Sequence, residues 1–382
     1  MHVHSPSLAL QATPARVGGV RLLGAGVREL RASHWQLSEQ FRELGMATLI
    51  DIELQDTEAA PALQLSLPTV LAEHWTPGHD TSRLCTTLGL DTRHPDDLCR
   101  EIILSLLAGP QTQTFPSLGE WMSALRARIH IVRAARDTVV GHAPGAARPS
   151  SQDWIHLDQG DSALRPGRPL IAALQAATQP APDAPPCALS GLRASEHVLL
   201  LGMAEEARRQ HPALYLRQVR QAERRLLHGD EFRRTWLRRL GQAERPLPAR
   251  WAVPGDRLWF RNPHAASAAV PGHDGLWSIY LGNGLYSDFR RRGQPQSLTE
   301  RCIEIHHWRH GLWRDAAGQP QVHEGEVTRR SRHTWDDPRC AQQVLTAMLS
   351  LQSADDDAGG CIDPGREFPR WLCPGSCDIP EL

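Results

Sequence analysis

Residues 254–290 constrain the fold more than any other stretch of the chain. Three short apolar runs, DRLWFRN (256–262), LWSIYLG (276–282) and LYSDFR (285–290), have the length and composition of strands, and Asn283-Gly284 separates the last two. An Asn-Gly pair between apolar runs favours the type I′ turn of a tight hairpin, because both residues tolerate positive φ. Pro254-Gly255 punctuates the start of the first run. An antiparallel sheet is therefore expected here. The helical pattern from Leu189 to Gly241 supplies something to cover it: Leu189, Leu192, Leu199 and Met203 fall on one stripe. Glu196 fills the remaining slot of that stripe and reads as a carboxylate at the helix edge. His197 reads as a partly buried, hydrogen-bonded ring.

A chain of 382 residues exceeds one typical core, which favours two domains. The Pro-, Gly- and Ser-rich GHAPGAARPSS (141–151) is the first linker, and QPAPDAPP (179–186) is a second linker or exposed loop. The expected division is an N-terminal region over 1–150, a second domain over 151–352 and a flexible Cys-containing tail over 353–382. In the first region, 34–45, 96–110 and 117–141 read as helices, the last opened by Ser117 and Glu120 at capping-box spacing. ATLIDIEL (47–54) and ALQLSL (62–67) read as paired strands. Further on, ERCIEIHHWRH (300–310) alternates as a strand, HEGEVTRR (323–330) as an edge strand, and 337–351 as a helix. The fold class is α+β, with a mainly helical N-terminal domain.

Net charge is −1, which gives no electrostatic case for nucleic acid or a membrane surface. No apolar run approaches the ~20 residues that span a bilayer. MHVHSPSLALQ lacks a basic segment followed by a long apolar one, so the chain is expected to be cytoplasmic as made. A specialised secretion system would leave no such mark. The eight cysteines read as free thiols. Cys361, Cys373 and Cys377 cluster, but without a CxxC pair or a clear fourth ligand, so no metal and no cofactor is expected. The chain contains no lysine: all 42 cationic side chains are arginine. A GC-rich genome explains this simply, and the presence of only Asn262 and Asn283 agrees. Avoidance of lysine modification is the functional alternative.

A cysteine just ahead of a long helix, followed by an antiparallel sheet, is an arrangement suited to thiol chemistry. The free N–H groups and dipole of a helix start stabilise a thiolate. The sheet then delivers a base and a polar group to orient it. Cys187, in PPCALSGLRASE, is the candidate nucleophile; if Ser190 caps the helix, Cys187 lies outside it. Strand alternation places Ile303, Ile305 and His307 on one face, which makes His307 the candidate base. Asp288 and His273 are candidate orienting groups. A metal site built from Glu304, His306 and His310 on a strand is awkward, because side chains on one face lie ~6.6 Å apart along it.

VPGDRLWFRNP (253–263) followed by IYLGNGLY (279–286) resembles the bacterial spore-type protein-glutamine transglutaminases, a papain-like thiol-enzyme family. The same words are also similar to NlpC/P60 cell-wall peptidases. The resemblance covers about 163–290. It implies a papain-like core, a helix packed on an antiparallel sheet, and acyl transfer from protein glutamine through a Cys thioester. Two family positions depart from the pattern. Leu276 stands where the family has an acidic residue, and Phe289 stands where it has a histidine. Three readings follow: a divergent acyltransferase or amidase acting on protein, with export as an effector as one setting; a catalytically dead relative serving as an adaptor or immunity protein; and a cell-wall amidase. All but the last imply a protein substrate or partner.

Overall fold

The computed structural model describes residues 18–55, 61–141, 152–157, 161–290, 293–350 and 359–380. The first part of the chain builds a four-stranded sheet from β1 (Val20–Leu23), β2 (Asp51–Gln55), β3 (Ala62–Ser66) and β4 (Gln113–Phe115), in the order β2-β3-β1-β4. The two expected strands do pair, Ile52 opposite Leu65. The same part of the chain forms α1 (Val27–Glu43), α2 (Thr69–Trp75), α3 (Leu84–Leu88), α4 (Pro95–Leu107) and α5 (Leu118–Asp137), of which α1 and α5 pack on this sheet. Ser117 caps α5 by accepting from the Glu120 N–H, but Glu120 does not return the bond as a capping box would. Its carboxylate instead accepts from the N–H groups of Leu372 and Cys373 and from the Ser376 hydroxyl.

A ribbon of β5 (Trp154–His156) and β6 (Ser162–Leu164) leads to α6 (Leu170–Thr178), α7 (Gly191–Gln210), α8 (Pro212–Arg224) and α9 (Gly229–Trp236). α7 packs along α5 at very short range: a methyl group on Gly202 would meet the Ile131 backbone N at 2.8 Å. One buried cluster joins Val20, Trp121 and Ile131 to Val198, Leu199 and Ile279, so residues on both sides of position 150 share it.

The second sheet draws on β7 (Leu237–Leu240), β8 (Arg257–Arg261), β9 (Gly275–Gly282), β10 (Leu285–Tyr286), β11 (Gln296–Ser297) and β14 (Arg366–Pro369). Its order is β11-β10-β9-β8-β14-β7, with every recorded pair antiparallel. α7 lies against β9, so the architecture is α+β with a helix packed on an antiparallel sheet. The Pro-Gly-Asp opening has a physical cause. Gly255 takes φ +90° beside Arg128, and the Asp256 carboxylate joins the Arg128 guanidinium at 2.7 Å while accepting from Val253 N. At the hairpin, Asn283 and Gly284 take φ 54° and 69°, and buried Glu101 accepts from Asn283 N.

Between and beyond these strands lie α10 (Ala265–Ala268), α11 (Leu298–Trp308), a ribbon of β12 (Leu312–Arg314) and β13 (Pro320–Val322), α12 (Glu324–Asp336) and α13 (Pro338–Met348). The helices α11–α13 share a second core with the sheet, through Phe260, Cys302, Trp308, Val327 and Met348. Two expected strands are helices. Residues 300–310 fall in α11 and its C-terminal turn, opened by a complete capping box between Ser297 and Glu300. Residues 324–330 open α12, capped by the His323 ring. Glu196 is also not at a helix edge: it is 2% exposed. No described helix is long and apolar enough to cross a membrane.

Candidate cleft at the start of the long helix

A cavity of about 250 Å³ opens where the N-terminus of α7 faces the first residues of β9 and the chain leaving β10. Ser190 caps α7 by accepting from Arg193 N at 3.2 Å, and Gly191 and Leu192 expose the first turn to the cavity. Across from them stand Asp274, Leu276, Asp288 and Phe289. Trp259 and Trp277 form one wall, their rings 4.9 Å apart. Beneath Trp277, the Arg257 guanidinium stacks at 4.5 Å and pairs with Glu367 at 2.6 Å. Glu196 lies 4.0 Å from the same guanidinium, and burial pushes its carboxyl up to about 7.

The candidate nucleophile is not on the cavity wall. Cys187 sits three residues before the cap, its carbonyl accepting from Gly141 N at 2.8 Å, and it is only 7% exposed. Burial pushes the thiol above its usual range, and no charge among the described residues offsets that. His307 is on α11 rather than on a strand, and its contacts lie elsewhere. Its Nε2 bonds the Thr334 hydroxyl at 2.7 Å and its Nδ1 lies 2.9 Å from His310 Nδ1. Burial, then His310, Arg330 and Arg309, push its pKa down to about 4. The ring is therefore neutral at neutral pH, and its hydrogen-bond partners are His310 and Thr334.

His273 follows the cavity-lining Gly272, but its ring packs edge-on against Trp308 and faces Glu324 at 3.3 Å. Asp288 does line the cavity, with Oδ1 accepting from Arg290 N at 3.0 Å. The structure thus brings Asp288 to the cleft beside Leu276 and Phe289, and leaves Cys187, His273 and His307 off its lining. Sequence reading missed Arg301. It is 2% exposed, lines the cleft and donates to the Ser287 carbonyl at 2.6 Å. The signal for it was the Ser297–Glu300 capping box, which makes 301 a first-turn helix position.

A family model described as protein-glutamine gamma-glutamyltransferase matches residues 80–290, more than half of the chain and starting well upstream of the 163 at which the motif resemblance begins. Among solved structures, the transglutaminase from Geobacillus stearothermophilus (without C-terminal extension) aligns at 17% identity and a TM-score of 0.38. The alignment covers 56% of this chain and 98% of that one. No curated protein matches the sequence.

Proposed function

Because the chain belongs to the protein-glutamine gamma-glutamyltransferase family, we propose that it uses the family's cleft to bind a protein segment and has given up thioester chemistry. The observation that carries this reading is the lining of the cavity, which includes Leu276 and Phe289 and, among the described residues, neither a thiol nor an imidazole. Acyl transfer needs a thiolate within about 3 Å of a base. The cleft's own serine at the helix start, Ser190, has its oxygen engaged in capping. What remains suits recognition of a carboxamide. The first turn of α7 presents N–H donors to an oxygen, and Asp274 and Asp288 face it with carboxylates that accept from an amide N–H. A partner's glutamine-bearing segment is the occupant this chemistry favours. The missing lysines fit a protein that handles such segments near active enzymes of this family, since it offers no ε-amine to be cross-linked.

One observation favours the second reading, acyl transfer through Cys187: this residue lies three positions ahead of the α7 cap, and Leu189 and Ser190 beside it line the cleft. Nothing in the cleft supports the cell-wall amidase reading or an effector or immunity role over binding. The test is incorporation of a fluorescent amine into a glutamine-rich acceptor protein, with ammonia release followed in parallel. No product above the level of Cys187→Ala is expected, while a glutaminyl peptide should change the emission of Trp259 and Trp277. Incorporation that Cys187→Ala abolishes would replace the binding reading with the catalytic one.

A further inference from the structure

We propose that His306, His307 and His310 form a binding site for a divalent transition-metal ion of the zinc, nickel or copper class, at the C-terminal end of α11. One ring nitrogen from each lies within 4.8 Å of the other two. The helix makes this possible. His306 and His310 are four residues apart and His307 and His310 three, so the rings converge over a single turn. The turn persists past Trp308, because His310 N donates to the His307 carbonyl at 2.9 Å. The strand spacing that made shared ligation awkward does not apply.

The closest pair, the two Nδ1 atoms of His307 and His310, is separated by 2.9 Å. Ligand nitrogens 2.0–2.1 Å from a tetrahedral ion lie about 3.3 Å apart, so these two need only a small adjustment. In the ion-free protein one proton must sit between them. Whichever ring carries that proton moves it to its own Nε2 when an ion replaces it, and the Thr334 hydroxyl, able to donate or accept, suits His307 in either tautomer. Thr334 then acts as an outer-shell partner, fixing the His307 ring and leaving Nδ1 for the ion. The exposed Arg309 donates to His306 Nε2 at 2.8 Å and has to swing out. The Glu326 charge on α12 offsets part of the effect of Arg309 and Arg330 on His310.

Three imidazoles without carboxylates select borderline ions over magnesium or calcium. Three ligands also leave a coordination position for water or a small anion. None of the three histidines lines the cleft at α7, so this inference stands independently of the binding proposed there.

The test is calorimetric titration of metal-free, full-length protein with Zn2+ and Ni2+, and with Mg2+ as a hard-ion control. His310→Ala and His306→Gln are titrated alongside, both at positions that leave the core intact; His307 is buried and left unaltered. One tight equivalent of Zn2+ or Ni2+ is expected, weakened at least about tenfold in each variant, because even an outer-shell change costs that much. Mg2+ should give no heat. With nineteen histidines in the chain, binding that is weak, multiple and equal in wild type and variants would mean adventitious surface coordination and overturn the proposal, as would no binding at all.

Discussion

Alkylation at pH 6 separates an activated Cys187 from an inert one. The thiol is 7% exposed, burial raises its pKa, and no charge among the described residues opposes that shift. An ordinary thiol of pKa about 8.5 is roughly 0.3% thiolate at pH 6, and a raised one is less. A nucleophile tuned to pKa about 6 would be about half ionised, a thiolate fraction roughly 150-fold higher. A less basic thiolate is also a weaker nucleophile, and a Brønsted slope of about 0.4–0.5 gives back roughly tenfold over this range. Ionisation wins, and an activated Cys187 should still outpace an ordinary thiol by about tenfold or more. Burial slows the inert form further. Exposed Cys340 serves as the internal reference, its own thiol raised by the Asp337 carboxylate. Treated with iodoacetamide and followed by intact mass and peptide mapping, Cys187 should label no faster than Cys340. The rate of the first labelling event should be the same in Cys187→Ala. Selective labelling of Cys187 at pH 6 would refute the reasoning, because it requires thiolate stabilisation that this geometry lacks.

Gly202→Ala sets two effects against each other. Alanine in a helix interior is favoured by about 1 kcal/mol, but its methyl would meet Ile131 Cγ1 at 2.5 Å and backbone N at 2.8 Å. Overpacking against backbone costs about 1–3 kcal/mol or more, so a lower urea midpoint is expected; an unchanged or higher one would contradict the α5–α7 contact. Glu196 predicts a pH dependence. Its folded pKa of about 7 exceeds the ordinary value near 4.3, so between these values the folded state holds the proton that the unfolded state has lost. Its contribution is complete below about pH 4 and declines as pH rises toward 7. Urea midpoints of Glu196→Gln should decline less with pH than those of the wild type, and parallel profiles would argue against the shift.

The parts of the fold legible in the sequence were those whose cause is local. Asn283-Gly284 dictates its turn, and Ser117 and Ser190 cap the helices they precede. α11 was misread because Ile303, Ile305 and His307 alternate in a way that mimics a strand, while the decisive signal, the capping box of Ser297 and Glu300, starts three residues ahead of the 300–310 window. Glu196 was misplaced because its burial depends on Arg257 and Glu367, far away in sequence. Glu120 looked like half of a capping box, and only the folded chain shows it turned toward Leu372 and Cys373. At the cleft, Leu276 and Phe289 already stood out in the sequence, as the positions where the resemblance implies an acidic residue and a histidine. That Cys187 misses the wall depends on where α7 starts relative to the Gly141 bridge, which no local pattern encodes.

The placement of β14 has a consequence for how this protein comes off the ribosome. Among the described residues β7 pairs only with β14, and β14 separates it from β8. Strands made a hundred or more residues earlier therefore wait with open edges until residues 366–369 emerge and zip between them. Closing so long a loop is slow relative to local helix formation. During synthesis, the exposed edges of β7 and β8 are the surfaces most open to mispairing with another nascent chain.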